Sequence, residues 1–418
     1  MNILKLSWKY LSFKPLSTGL NMLLLALGLA IITVLLLIQD QFEKKMTQDA
    51  EGIDLVVGAK GSPLQIILSA VYHIDFPTGN IPMKEAMRLD QSRLVKSTIP
   101  LALGDNYLGY RIVGTNHDYL AMHEVDYQEG KAWELPFEVV LGAMVAEKTG
   151  MKVGETFTGS HGISEGSHDH EAHDYEIVGI LEPKGTVVDR LVMTSIESVW
   201  LTHDEEEEEA HVEESDADHQ KKFHSPVAKS GFPKTEQDRD VTALLVQYRS
   251  PMAAVQLPRM INSATSMQAA SPTFEMSRLF ELLGVGVTLL QGLAFVLIGI
   301  SGLGIFIALY NSLKERKYDL AILRAIGASR FQLLLMVFLE GIILTVLGAV
   351  LGIILGHSFL SLLVSQNDQG VVSSLHPWVF LKQELWIVVY ALLVGIVASL
   401  IPAWTAYQTS IAKQLTKA

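Results

Sequence analysis

Eight histidines stand among carboxylates in two short stretches, and imidazole with carboxylate is a ligand set for zinc, nickel or copper. His168, His170 and His173 lie in "HDHEAH" with His161 just before them, and His203, His211, His219 and His224 lie in "HDEEEEEAHVEESDADHQKKFH". Three or four such groups suffice to hold zinc. The spacing does not match HExxH, so a metalloprotease helix is not indicated. Two readings fit the residues: capture or sensing of a divalent metal, zinc foremost, or a solvated low-complexity loop. No Ser/His/Asp triad or paired-carboxylate constellation stands out elsewhere. Nor does the chain contain a GxxxxGK[ST] loop to cradle nucleotide phosphates.

The elements around these histidines are those of a membrane protein. Nearly half of the chain is hydrophobic, and the apolar residues gather into long uninterrupted runs. Such runs match bilayer-spanning helices better than a water-soluble core. Residues 18–39, 282–310, 331–364 and 385–405 give four expected spans, one near the N-terminus and three near the C-terminus. The first exceeds a signal-peptide core and has no small-residue cleavage site after it, so it is expected to stay as an anchor. Lys5, Lys9 and Lys14 precede it; Lys314, Arg316, Lys317, Arg324 and Arg330 lie between the second and third runs, and Lys413 and Lys417 in the tail. By the positive-inside rule both termini are cytoplasmic and residues 40–276 are exported.

The formal net charge of −13 is concentrated in that exported part. This excludes nucleic acid as an expected partner and disfavours anionic lipid. Absence of cysteine means that no disulfide supports the domain. Short apolar runs punctuated by glycine and proline alternate with helical stretches, which predicts a large α+β domain inserted between spans one and two. Segments near 160–174 and 202–225 interrupt it as polar inserts. Residues 1–17 read as an amphipathic helix stopped near Pro15, with Ile3, Leu4, Trp8 and Leu11 near one face. Helical periodicity runs on through Lys45 after span one and begins near Phe274 before span two, so both helices are expected to project beyond the bilayer.

The stretch 313–332, "LKERKYDLAILRAIGASRFQ", is a basic helix between two membrane runs. It resembles the cytoplasmic signature of the MacB/FtsX family of ABC-transporter permeases, with Glu315, Arg316, Leu320, Leu323, Arg324, Ala325, Gly327 and Ala328 at matching positions. "VVLGAMVAEKTGMKVGETFTG" and "YEIVGILEPKGTVVDRLVMTSIESVW" similarly resemble the MacB-type periplasmic core domain, making residues 277–418 the FtsX-like permease part. The resemblance implies a non-catalytic permease subunit of a bacterial inner membrane that binds no cofactor itself. ATP would be bound and hydrolysed by a separate ABC ATPase subunit. Glu315, Arg316, Leu320, Leu323, Arg324 and Gly327 are then the coupling residues. Leu320, Ile322, Leu323 and Ile326 would seat in a groove of the ATPase, with Arg316 and Arg324 on carboxylates at its rim.

Further partners implied are a second permease, as homodimer or heterodimer, and a periplasmic partner or substrate-binding protein. Metal handling competes with lipoprotein release, peptide or drug efflux and control of cell-wall hydrolases. From other classes come a non-transporting metal sensor and a membrane-anchored metal-dependent hydrolase. Gly348, Gly352 and Gly356 form a double GxxxG in span three, for packing on span two or four or for a homodimer contact. Glu340, inside the same span, is expected to serve packing or a helix end rather than proton transfer.

Overall fold

A computed structural model describes residues 3–13, 15–161, 174–209, 226–233, 238–366 and 372–408. The chain divides into two compact units, one of residues 1–42, 282–368 and 375–418, the other of residues 43–281 and 369–374.

Among the described residues, four helices are long and apolar enough to cross a membrane: Pro15–Asp49, Pro272–Glu315, Arg330–Gln366 and Lys382–Tyr407. All but residues 43–49 and 272–281 of these helices belong to the first unit. The first two outrun their apolar stretches, as their periodicity predicts. At about 1.5 Å per residue the 44-residue second helix is about 66 Å long, twice the apolar thickness of a bilayer. No glycine or proline interrupts the first between Ala30 and Asp49, so nothing stops it at the membrane surface. Pro15 ends the N-terminal helix Ile3–Phe13 and opens the next, because proline fits the first helical turn, where its missing N–H is not needed.

In the N-terminal helix, two residues of the expected apolar face, Leu11 and Trp8, have different surroundings. Leu11 is buried among Ile305, Leu309, Leu344 and Ala398, and the Ser7 hydroxyl donates to the Met336 carbonyl at 3.1 Å. Trp8 points outward and is more than half exposed.

All four membrane helices contribute to one core, formed by Leu25, Leu29, Ile32, Ala294, Ile298, Ala349, Ile387 and Ala391. The glycine stripe lies against span one, not against span two or four. A Cβ added at Gly352 would stand 2.7 Å from the Leu29 Cβ and 2.8 Å from the Ala26 carbonyl oxygen. At Gly356 it would meet the Thr33 Cβ at 2.9 Å, and at Gly348 the Leu25 Cδ2 at 2.8 Å. Small residues thus let two helix backbones approach within one chain.

Farther along span three, the imidazole of His357 is fully buried. Its Nδ1 lies 2.6 Å from the Pro377 carbonyl and its Nε2 3.2 Å from Glu384 Oε2, at the start of span four. Trp378 stacks on the ring at 5.6 Å between centroids and Phe380 lies at 4.6 Å. The same loop is held from span one, where the Gln41 side chain exchanges two hydrogen bonds with the His376 backbone.

The second unit is the α+β domain. Strands Met267–Ala270, Leu55–Ala59, Ala243–Tyr248 and Val95–Tyr107 pair antiparallel in that order, and the hairpin to Tyr110–Thr115 carries the sheet onward. Val192–Ser195, Glu138–Leu141, Tyr175–Leu181 and Tyr127–Gly130 continue it, with parallel pairing between Tyr110–Thr115 and Val192–Ser195 and between Glu138–Leu141 and Tyr175–Leu181, and the short strands Thr156–Phe157 and Ser160–His161 pair at its side. Alternating apolar residues in these strands feed two cores. One gathers Leu55, Val57, Leu244, Leu257 and Met267; the other Ile112, Val139, Leu141, Tyr175 and Ile177.

Two histidines are buried in this domain beside Tyr119. His73 Nε2 lies 3.3 Å from the Tyr119 hydroxyl, and the His123 ring meets the Tyr119 ring edge-on at 4.8 Å. Burial pushes the His123 imidazole down to about 4, and the nearby Lys184 charge acts in the same direction. His73 is held well below the usual histidine value by burial, then by Arg190 and Arg111. Both rings are therefore neutral at physiological pH.

Candidate coupling site

The segment between spans two and three is built from a break, a short helix and two caps. Helix Pro272–Glu315 breaks at Arg316, whose backbone leaves the helical region at φ −97°, ψ 11°, and a nine-residue helix follows from Lys317 to Ala325. Gly327 then reverses the chain with φ +115°, a conformation that side chains with a Cβ rarely adopt. Ala328 N–H reaches back to the Leu323 carbonyl at 3.0 Å and closes the helix end. Span three starts on a reciprocal cap: Gln332 N–H donates to Ser329 Oγ at 3.2 Å, and Ser329 N–H donates to Gln332 Oε1 at 2.8 Å.

This architecture sorts the matched residues into inward and outward sets. Leu320 is 1% exposed and packs with Leu313, Leu333, Met336, Val337, Ala403 and Ala406 of the same chain, and Ala321 is buried. Leu323 packs at the edge of that cluster. Leu320 is therefore taken up by its own membrane bundle and is not free to seat in a partner, while Leu323 is half-buried between bundle and surface. Arg316 also turns inward: its Nη1 lies 3.2 Å from Glu340 Oε1, and the Glu340 side chain is 3% exposed. The buried carboxylate of span three is thereby matched by a cation that enters from the signature. Arg324 is half-buried, as is Ile322.

What faces outward is a different set. Ile326 is 80% exposed and Phe331 64% exposed, and Tyr318 in the short helix is exposed as well. Asp319, Gly327, Ser329 and Arg330 are exposed between them. An apolar residue held at the tip of a short, braced helix, with a charged surround, is suited to insert into a groove. Sequence periodicity nominated Ile326 but not Phe331, because Phe331 reads as the first residue of a membrane run.

Of the histidines, His168, His170, His173, His211, His219 and His224 lie outside the described residues. His203 lies in helix Ile196–Glu209. Among the described residues no group of three or more His, Cys, Asp or Glu is placed to hold a metal.

Both parts of this architecture have counterparts in known families. The FtsX-like permease C-terminal family model matches residues 292–411, and the MacB-like periplasmic core domain model matches residues 18–223. The chain belongs to the MacB/FtsX family of ABC-transporter permeases. It is thus a multipass membrane protein with an exported domain between spans one and two.

Relatives of this MacB/FtsX chain include the uncharacterized ABC transporter permease MJ1507 of Methanocaldococcus jannaschii. It is 24% identical over 123 residues, which cover 29% of this chain and 31% of the relative. The uncharacterized ABC transporter permease YknZ of Bacillus subtilis is 25% identical over 128 residues, 29% of this chain and 30% of the relative. The chain spans about a third of the length of the curated relatives it matches. Among solved structures, the extracellular domain of the noncanonic ABC-type transporter YknZ from Gram-positive bacteria aligns with 52% of this chain and 99% of its own. The sequence identity there is 14% and the TM-score 0.29.

Proposed function

We propose that this chain is the membrane subunit of an ABC transport system in a bacterial inner membrane, with both termini cytoplasmic. A separate ATPase subunit binds the segment between spans two and three, and its ATP-driven motion passes through the membrane helices to the exported domain. The observation that carries this reading is the braced tip: Leu320 and Arg316 fix the short helix inward while Ile326 and Phe331 stand exposed. A partner groove gains about 1.5–3 kcal/mol by covering a residue such as Ile326.

The test is Ile326→Glu, with Arg324→Glu beside it, in the full chain expressed with the ABC ATPase subunit of the same organism. Both variants insert normally, co-purify less ATPase and lower ATP turnover. Wild-type co-purification and turnover in both would remove the assignment. Orientation is checked by single cysteines on a chain that has none: Thr158→Cys should react with an impermeant thiol reagent in spheroplasts and Ser329→Cys should not.

Zinc handling by the exported domain is the finer part of the proposal, supported by the ligand chemistry of the two His/acid stretches. Zinc binding to the full chain should weaken below about pH 6.5, where imidazole protonates. Equal zinc affinity after changing the eight histidines to alanine would remove it.

A further inference from the structure

The helix that contains span one does not end in solvent. Its last turns, residues 43–49, belong to the α+β unit and finish in a buried polar knot. Asp49, the last helical residue, is 0% exposed. Its Oδ1 accepts from the Val187 N–H at 2.8 Å, and its Oδ2 lies 3.5 Å from Arg190 Nη2. One turn earlier, the Lys45 ammonium donates to the Gly185 carbonyl. Tyr72 Oη donates to the Met46 carbonyl at 2.9 Å, and Arg190 Nη2 donates to the Tyr72 carbonyl at 3.2 Å. Three groups near the helix end thus bond to one loop, residues 184–191, directly or through Tyr72.

The loop is equally fixed on its other side. The Asp189 carboxylate accepts from the N–H groups of Lys184 and Gly185, at 3.0 and 2.7 Å, and so holds the loop in a closed turn. Gly142 N–H donates to the Leu191 carbonyl at 2.9 Å. The contact there is backbone on backbone, since a Cβ at Gly142 would fall 2.1 Å from the Val188 carbonyl oxygen. Directly after the loop comes strand Val192–Ser195, inside the sheet between Tyr110–Thr115 and Glu138–Leu141.

Asp49 is a poor choice on local grounds. A carboxylate at a helix C-terminus faces the negative end of the helix dipole, and burying it adds a desolvation cost. Lys45, one turn back on the same helix, offsets part of these costs, and the loop supplies the rest through Arg190 and Val187. A residue that violates local preference and is satisfied chiefly by one distant loop marks a constraint of the assembled structure.

We infer that Asp49 and Arg190 are a positioning pair that fastens the end of the first membrane helix to the 184–191 loop. The helix end and the strand Val192–Ser195 then move as one body. In this role, which rests on the coupling reading, displacement of the helix reaches the interior of the sheet without being absorbed by the turn at residues 50–54.

Hydrogen–deuterium exchange on the purified full chain tests the fastening without any ATPase. Asp49→Ala and Arg190→Gln should each speed exchange by about tenfold or more at two places together, the helix end at residues 46–50 and the loop amides of Gly185 and Val187. The double variant should be no faster than the faster single, because both changes open the same joint. Asp49→Asn, which keeps an acceptor for Val187, should fall between wild type and Asp49→Ala. Exchange in Leu55–Ala59 and Val139–Leu141 should not change. The inference is overturned if Asp49→Ala loosens its own helix end and leaves the loop at the wild-type rate. Summed effects in the double variant, or an equal rise across the whole sheet, would overturn it too. If Asp49→Ala does not fold, Asp49→Asn and Arg190→Gln decide by the same two-place criterion. Reciprocal loosening combined with undiminished ATPase binding by Ile326→Glu would keep the joint and discard the coupling reading.

Discussion

Gly352→Ala is the sharpest probe of how the membrane bundle holds together. The new methyl carbon would sit 2.7 Å from the Leu29 Cβ, 2.8 Å from the Ala26 carbonyl oxygen and 3.1 Å from the Ala26 Cα. None of these atoms can rotate away, so spans one and three must separate locally. Overpacking of this kind costs about 1–3 kcal/mol, and alanine recovers about 1 kcal/mol of helix propensity, for a net loss of up to about 2 kcal/mol. Gly348→Ala should cost less, because its nearest atom is the end of the flexible Leu25 side chain. Gly292→Ala should stabilise by about 0.5–1 kcal/mol, since nothing lies within 4 Å of the added carbon. Unfolding midpoints of the reconstituted chain in a series of rising SDS mole fraction would rank the three. A Gly352→Ala midpoint at or above that of Gly292→Ala would refute the intramolecular seam. So would loss of a dimer with the monomer's own midpoint unmoved, which would assign the stripe to contacts between copies.

Three other outcomes follow from the described contacts. Arg316→Ala should destabilise by about 3–5 kcal/mol by leaving Glu340 buried without its cation, whereas Arg316→Met with Glu340→Leu should recover most of that loss in the same assay. Ser329→Ala should cost about 1 kcal/mol of thermal stability by removing one half of the reciprocal cap, and no loss would mean that the cap is not used. Acid should weaken the exported domain through His123, whose folded value of about 4 lies below its unfolded value of about 6.5. The unfolded chain binds the extra proton, so stability is full above pH 6.5 and declines as pH falls toward 4, by about 3 kcal/mol in all. His123→Gln should flatten that slope in a thermal titration of the full chain, with His73 supplying what remains.

Much of this fold is legible along the chain because bilayers impose long apolar runs and sheets impose alternation. The first two helices show their extra length by uninterrupted periodicity through Lys45 and from Phe274. Direction around a helix is less legible. Trp8 and Leu11 are three residues apart and look equivalent by spacing, yet only Leu11 meets the spans. The same limit applies to the coupling segment. Leu320 and Ile326 are both apolar on a short helix, and only tertiary packing decides that the first is core and the second is surface. Arg316 shows why charge signatures mislead: its partner, Glu340, is 24 residues away on another helix. The joint at Asp49 had one local signal, an acid at the wrong end of a helix, but its meaning depends on Arg190, far along the chain.

His357 and Glu384 carry a consequence of their own. The ring is held at both nitrogens, by the Pro377 carbonyl and by Glu384, and it is covered by Trp378 and Phe380. Span three is thereby tied to the connecting loop and to the first turn of span four through one side chain. A hinge between these two helices cannot lie at this end without breaking all of those contacts, so any relative motion of spans three and four must be taken up elsewhere along them.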